Sequence, residues 1–329
     1  MPNVLRPPKL KYHRRPNVPD GPPAPQVVDM TGRRMRELAG APQGLERLRA
    51  DCRRLELDEA VLRGMKADAP QPHNPSVCVH DGQLVACVRV LTGGVSITRN
   101  ILGTINGQGA LEDQREMRDL VKSPSRNPHV RSYGFEDMRL FVRAGRLWGS
   151  ATVADRVPGD LMAKIAVLEL DQLGNVVECH MQPSDRIEKN WMPIAGEDEL
   201  RFVYGVEPTV MVCTYDDRTH MVMPEPRRMP NVTGHLRGSS QVLHWKRGYL
   251  CVVHQVHAGR PTYVHRFVEL DERLQLVRMG RPFFFREEGI EFCAGAALWG
   301  SHLVLSFGVR DREAWIALLD EHEIEGMLS

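Results

Sequence analysis

The sequence predicts an all-β fold, a five-bladed β-propeller with a short N-terminal helical and extended extension. Three observations predict it. Five polar clusters recur after residue 70: His73-Asn74-Pro75-Ser76, Glu136-Asp137-Met138-Arg139, Glu188-Lys189-Asn190-Trp191, Gly238-Ser239-Ser240 and Glu291-Phe292. The steps from Asp137 to Lys189, Lys189 to Ser239 and Ser239 to Glu291 are 52, 50 and 52 residues. Each cluster is followed seven to nine residues later by a tight-turn signal: Asp81-Gly82, Ala144-Gly145, Gly196-Glu197-Asp198, Arg247-Gly248 and Gly300-Ser301. An apolar strand follows every turn. Repeats of this length, with a polar residue at fixed phase, are the signature of blades around a central axis.

Each segment is read in order. Residues 1–28 are rich in proline and basic residues and poor in apolar ones, which predicts an extended or disordered arm. Residues 31–66 predict helices. Thr31 caps a short one, and Leu45, Leu48, Cys52, Leu55 and Leu62 recur at helical spacing in a second. The expected division is therefore 1–69 for the arm and helices and 70–329 for the propeller.

Beyond it the pattern is strand, turn, strand. Val77–Val79 and Leu84–Val90 flank one turn, and Leu140–Val142 and Leu147–Val153 flank the next. Ile165–Leu170 and Val176-Val177 complete the second blade. Val242–Trp245, Tyr249–Val256, Tyr263–Leu270 and Leu274–Val277 repeat the order in the fourth. Leu111–Lys122 predicts one short helix inserted late in the first blade.

Composition bounds the function. Apolar content of 42% and charged content of 26% are those of a globular protein with an ample core. The longest apolar runs fall far short of the ~20 residues of a membrane span, and no secretory leader is read, so a cytoplasmic location is expected. Seven cysteines stand as singles, five of them in apolar strands, which predicts reduced buried thiols. Residues 1–36 hold eight Lys/Arg against two Asp, while the rest hold 35 against 40 Asp/Glu. The body offers no nucleic-acid footprint. His254, His257 and His265 lack a completing Cys or carboxylate, so no metal centre is expected.

The ordered motifs Asn-Pro-Ser, Glu-Asp-x-Arg, Lys-Asn-Trp-x-Pro, Gly-Ser-Ser and Phe-Gly-x-x-Asp, over about residues 72–320, resemble five-bladed propeller carbohydrate enzymes. They are most similar to the inverting β-mannoside phosphorylases and hydrolases. The resemblance implies that Asp137 is the general acid, with Met138 standing where the family has Pro. It also implies that Asp311 and Arg89 bind sugar. Physically, glycoside cleavage needs a proton on the leaving oxygen while positive charge builds at the anomeric carbon. Glu136 and Arg139 tune an adjacent carboxyl, and carboxylates grip vicinal hydroxyls with charge-assisted bonds. Alternatively, Arg139 pairs with Asp137 and holds it ionised.

Further contacts expected to hold the substrate are Asn74, Glu136, Arg139, Lys189, Asn190, the Trp191 ring, Ser239, Ser240 and His254. The serines are read as hydrogen bonders, since no nucleophile elbow is present. Tyr204-Gly205-Val206-Glu207-Pro208 replaces the phosphate-gripping His-Arg pair of the family, leaving Glu207 or Glu291 as the base for a water. The expected partner is an oligosaccharide or glycoside. No organic cofactor is required, although inorganic phosphate stays open as a co-substrate. A nucleotide-sugar glycosyltransferase and a non-catalytic carbohydrate-binding propeller are the alternatives.

Overall fold

A computed structural model describes residues 44–65, 69–92, 96–121, 132–157, 160–182, 187–207, 210–225, 236–256 and 262–329. The predicted arm over 1–28 and the Thr31-capped helix lie outside these residues. Among the described residues, the first long strand is preceded by β1 (Glu46–Arg47), β2 (Asp51–Arg54) and one helix, α1 (Glu59–Gly64), whose N-cap Asp58 accepts from the Ala60 amide.

Five sheets follow. The first contains β3 (Gln71–His80), β4 (Gln83–Thr92), β5 (Ser96–Ile105) and β6 (Leu111–Glu116), with β7 (Ser132–Tyr133) alongside β5. The second is β8 (Glu136–Arg143), β9 (Arg146–Val157), β10 (Asp160–Leu170) and β11 (Val176–Met181). The third is β12 (Met192–Pro193), β13 (Arg201–Gly205), β14 (Met211–Asp216) and β15 (Met221–Glu225). The fourth gathers β16 (Leu236–Gly238), β17 (Leu243–Trp245), β18 (Gly248–Val256), β19 (Tyr263–Leu270), β20 (Leu276–Met279) and β21 (Phe283–Phe284). The fifth is β22 (Glu291–Trp299), β23 (His302–Val309) and β24 (Glu313–Leu319), after which α2 (Glu321–Leu328) packs Ile324, Met327 and Leu328 inward.

The long neighbouring strands of each sheet pair antiparallel, as short hairpin connections require, while β7 runs parallel to β5. Asp81-Gly82 and Ala144-Gly145 close two-residue loops with φ of 49° and 74°, and of 47° and 72°. Positive φ at both central positions is what the twist of the flanking strands selects.

The apolar faces bury against the next sheet. Phe141 and Trp148 meet Phe202 and Tyr215 between the second and third sheets. Leu140 meets Leu102 between the first and second, and Val203 meets Val253 between the third and fourth. Phe285 stacks on Phe307, with centroids 4.0 Å apart, between the fourth and fifth, and Val304 and Val77 share a core cluster between the fifth and first. This is an all-β propeller arrangement.

Two expectations are corrected. Residues 45–55 are not helical. β2 pairs antiparallel with β24, so an early segment supplies the outer strand of a sheet otherwise built from the chain's last strands, and β1 pairs with β21. The boundary at 69/70 is therefore crossed by pairing. The spacing of Leu48 and Leu55 fits a helix equally well, but the open edge of β24 offers ladder partners that a short helix lacks. Leu111–Lys122 likewise begins as strand β6 rather than helix, because β5 presents an edge for it.

Candidate active site at the mouth of the ring

The strand that opens each sheet begins at the same end of the ring, because its hairpin turn lies at the other end. The recurrent polar clusters occupy those beginnings. In β3 the ladder slips between His73 and Ser76, and in β8 between Glu136 and Arg139. At the slips Asn74 has φ 44° and Asp137 φ 48°, while Asn190, just before β12, has φ 65°. A β-bulge re-aims one side chain while the strand continues. The fixed phase in the sequence is therefore a repeated bulge that turns a polar side chain away from the alternating pattern.

Asp137 is the centre of the cluster. Its Oδ1 accepts from Asn74 Nδ2 at 2.8 Å and from Arg89 Nη1 at 2.8 Å. Arg89 also meets Glu136 at 3.4 Å and donates from Nε to Thr98 Oγ1 at 3.2 Å. Burial favours the neutral acid, but the Arg89 charge, the Asn74 bond and His73 outweigh it and hold Asp137 at about 2. Burial opposes the charge on Arg89 as well, and the two carboxylates overcome it, raising its pKa.

Asp311, exposed in the turn between β23 and β24, shares this neighbourhood. His73, Arg89 and Tyr263 each feel the charge of both Asp311 and Asp137. Groups from the first, second, fourth and fifth sheets thus act on one volume. His73 is buried with Nδ1 on the Gln71 carbonyl at 2.9 Å; burial and Arg89 push it towards the neutral form.

Arg139 does not pair with the Asp137 carboxylate. Its Nε donates to the Ser239 carbonyl at 2.6 Å, Nη1 to the Asp137 carbonyl at 3.2 Å and Nη2 to Asn190 Oδ1 at 3.4 Å. Its guanidinium also lies 5.8 Å from the Phe292 ring centroid. Fully buried, and lowered by that burial to about 10, it ties four sheets together beneath the mouth. Ser239 Oγ and His254 Nδ1 are hydrogen-bonded at 2.8 Å, and the His254 ring stacks on Tyr263 with centroids 5.4 Å apart. Burial first, then His265, Arg139 and Arg237, keep His254 neutral.

The remaining expected contacts are placed differently. Ser240 faces the backbone, bonding the Gln241 carbonyl and the Val252 amide. Trp191 is 5% exposed, with its Nε1 on Glu188 and its ring against Phe202 and Tyr204, so it is a core aromatic rather than a sugar platform. Glu291 is 0% exposed and accepts from the amides of Phe285, Arg286 and Glu287, organising that loop where water does not reach. This burial removes it as a water-activating base. Glu207 is buried near the mouth end and accepts from the Leu236 amide at 3.1 Å, and Lys189 is exposed.

His73, Thr98, Tyr263 and Phe292 were not expected at the site. Nor was Gln241. Its Nε2 donates to the carbonyls of Val77, at 2.8 Å, and Leu140, and its Oε1 accepts from the Ala296 amide at 2.7 Å. One amide group therefore links the first, second, fourth and fifth sheets. Ser76 and Ser306 add bonds to the Leu140 amide and the Pro75 carbonyl. A signal was present, since Gln241 directly extends the Gly238-Ser239-Ser240 polar cluster ahead of an apolar strand.

Close approach at the axis demands glycine at position 308. A Cβ there would lie 2.1 Å from Asn74 Oδ1 and 2.6 Å from its amide nitrogen. Gly308→Ala should therefore push Asn74 off Asp137 and destabilise the fold by about 1–3 kcal/mol. Denaturant titration measures the loss, and an unchanged midpoint would contradict this packing.

No protein-family model matches the chain, and no curated protein is significantly similar to it. Solved structures are. A glycosyl hydrolase from Bacteroides ovatus aligns with a TM-score of 0.56 at 14% identity, over 77% of this chain and 85% of its own. A mannose phosphorylase from Leishmania mexicana, in complex with phosphate ion, aligns at 0.56 and 11%, over 91% and 96%. A structure from the GH130 family of mannoside phosphorylases, described as containing glycoside hydrolases that target β-1,2 mannosidic linkages in Candida mannan, aligns at 0.58 and 14%, over 78% and 86%. The chain shares their fold. Among the described residues no cluster of three or more His, Cys, Asp or Glu could hold a metal ion, and no helix is long and apolar enough to cross a membrane.

Proposed function

We propose that the chain is a carbohydrate-active enzyme cleaving a mannoside-like glycosidic bond with inversion, at the mouth of a five-bladed propeller in which each sheet is one blade. The observation that carries the reading is the cluster of Asn74, Arg89, Asp137 and Asp311, drawn from three sheets onto one volume. The likeness in fold to mannoside-processing proteins supports the substrate class.

In this reading Asp137 meets the glycosidic oxygen. Both of its described bonds fall on Oδ1, so Oδ2 is the oxygen turned to the substrate. A bound sugar draws Arg89 onto its own hydroxyls and excludes water. Both changes raise the Asp137 pKa and let it carry the proton that the leaving oxygen needs. Glu207, less enclosed than Glu291 at 6% against 0% exposure, is the carboxylate assigned to activate water, and that assignment favours hydrolysis over phosphorolysis. Manno-oligosaccharides supplied with and without phosphate separate the two.

The pH profile tests the acid role. With a free-enzyme value of about 2, the protonated fraction of Asp137 grows as pH falls from neutrality. kcat/KM should then rise about tenfold per pH unit as pH falls from neutrality, for as long as the water-activating carboxylate stays ionised and the fold holds. A profile that is flat or rises with pH would show that Asp137 works ionised. The resting ionised state also favours a second reading, a binding propeller without chemistry. That reading requires sugar binding with no turnover in the same screen.

A further inference from the structure

The end of the ring opposite the mouth carries a cleft of about 350 Å³ between the second and third sheets. β8 runs from Asp137 at one end to Arg143 at the other, so the cleft is separate from the candidate active site. That volume lies within the ~300–1,000 Å³ of small-ligand sites.

Its walls are preorganised. The Arg143 guanidinium lies 5.1 Å from the Trp148 ring centroid and 5.7 Å from that of Tyr215. Nη2 of Arg143 donates to Asp217 at 2.6 Å and Nε to the Asp198 carbonyl at 2.8 Å. Tyr215 Oη and His220 Nδ1 are hydrogen-bonded at 3.0 Å. The His220 ring stacks on His180 at 4.1 Å and 3°, and His180 in turn meets Glu178 at 3.1 Å.

One group is left over. Trp148 is 5% exposed, lines the cleft, and its Nε1–H has no acceptor among the described residues. A buried donor without a partner costs about 1–3 kcal/mol, so an acceptor brought by a ligand recovers that cost.

We infer that this cleft is a second binding site, for a neutral, hydroxyl-rich ligand of saccharide type. The charges decide the class. Arg143 is spent on Asp217, and Arg146 on Glu169, so among the described residues lining the cleft no free cation remains to hold an anion. The wall nevertheless offers a donor at Trp148 and acceptors at Glu178 and Asp217. A hydroxyl group both donates and accepts, and a polyol places several on adjacent carbons. The inference does not depend on chemistry at the mouth.

Crystals soaked in turn in D-mannose, D-glucose, D-galactose and inorganic phosphate test it. Saturation-transfer NMR on the parent, Trp148→Phe and His220→Ala chains accompanies the soaks. The expected result is a sugar in the cleft with a hydroxyl oxygen accepting from Trp148 Nε1. Affinity should fall about tenfold or more in both variants, with binding at the mouth unchanged. His220→Ala serves where Trp148→Phe fails to fold. A cleft empty with every sugar, phosphate alone occupying it, or sugar affinity unmoved by the variants would overturn the inference.

Discussion

Gln241→Leu should destabilise the protein by roughly 3–6 kcal/mol, the largest stability effect expected of any single side chain here. The substitution nearly preserves volume but deletes three hydrogen bonds. It leaves the Ala296 amide and the carbonyls of Val77 and Leu140 buried together without partners. Each such group costs about 1–3 kcal/mol, with some relief if the opening strands part and admit water. The side chain is 0% exposed, so solvent cannot compensate without that movement. Total stabilities of folded domains are ~5–15 kcal/mol, so the variant should be marginal at physiological temperature. Chemical denaturation reads the change. A loss below about 1 kcal/mol would mean that the five apolar interfaces alone close the ring.

Asp137→Asn should lower turnover by at least ~10²-fold while the fold persists. The amide oxygen still accepts from Asn74 and Arg89, so shape and both bonds are kept and the proton-carrying function is removed. Stability should respond with a definite sign. A carboxylate held at about 2 stabilises the native state fully above its unfolded value of ~3.9, and that contribution is lost as pH falls towards 2. The melting-temperature gap between parent and variant should therefore be widest at neutral pH and close on acidification. Retained turnover would assign Asp137 to positioning only, and a gap that widens in acid would contradict its ionised resting state.

Much of the fold was legible because hairpin chemistry is local. Asp81-Gly82 and Ala144-Gly145 specify their loops without help from the rest of the chain, and the apolar runs beside them have nowhere to go but a ladder. The segment around Leu48 and Cys52 was not legible. Its spacing suits a helix, and what decides for a strand is the free edge of β24, more than 250 residues away.

The site divides in the same way. Asn74, Asp137 and Asn190 were legible from their common phase, which the structure explains as backbone turned to positive φ at the mouth. Arg89 was legible as a charge in an apolar strand. Its pairing with Asp137, in place of the alternative pairing by Arg139, was not, since it depends on which of two guanidines lies in the same layer as the bulge. Trp191 and Glu291 occupy the right phase but point into the core and into a loop, a difference of side-chain direction that carries no sequence signal. His73 and Tyr263 join the site only through neighbours on other sheets.

The most direct test is a crystal structure of the Asp137→Asn variant soaked with manno-oligosaccharide. The account predicts a sugar ring at the mouth that bonds Arg89 and Asp311 together, with the glycosidic oxygen facing the side chain at position 137. Sugar bound elsewhere while the mouth stays empty, or Asp311 and Arg89 holding no common ring, would contradict it.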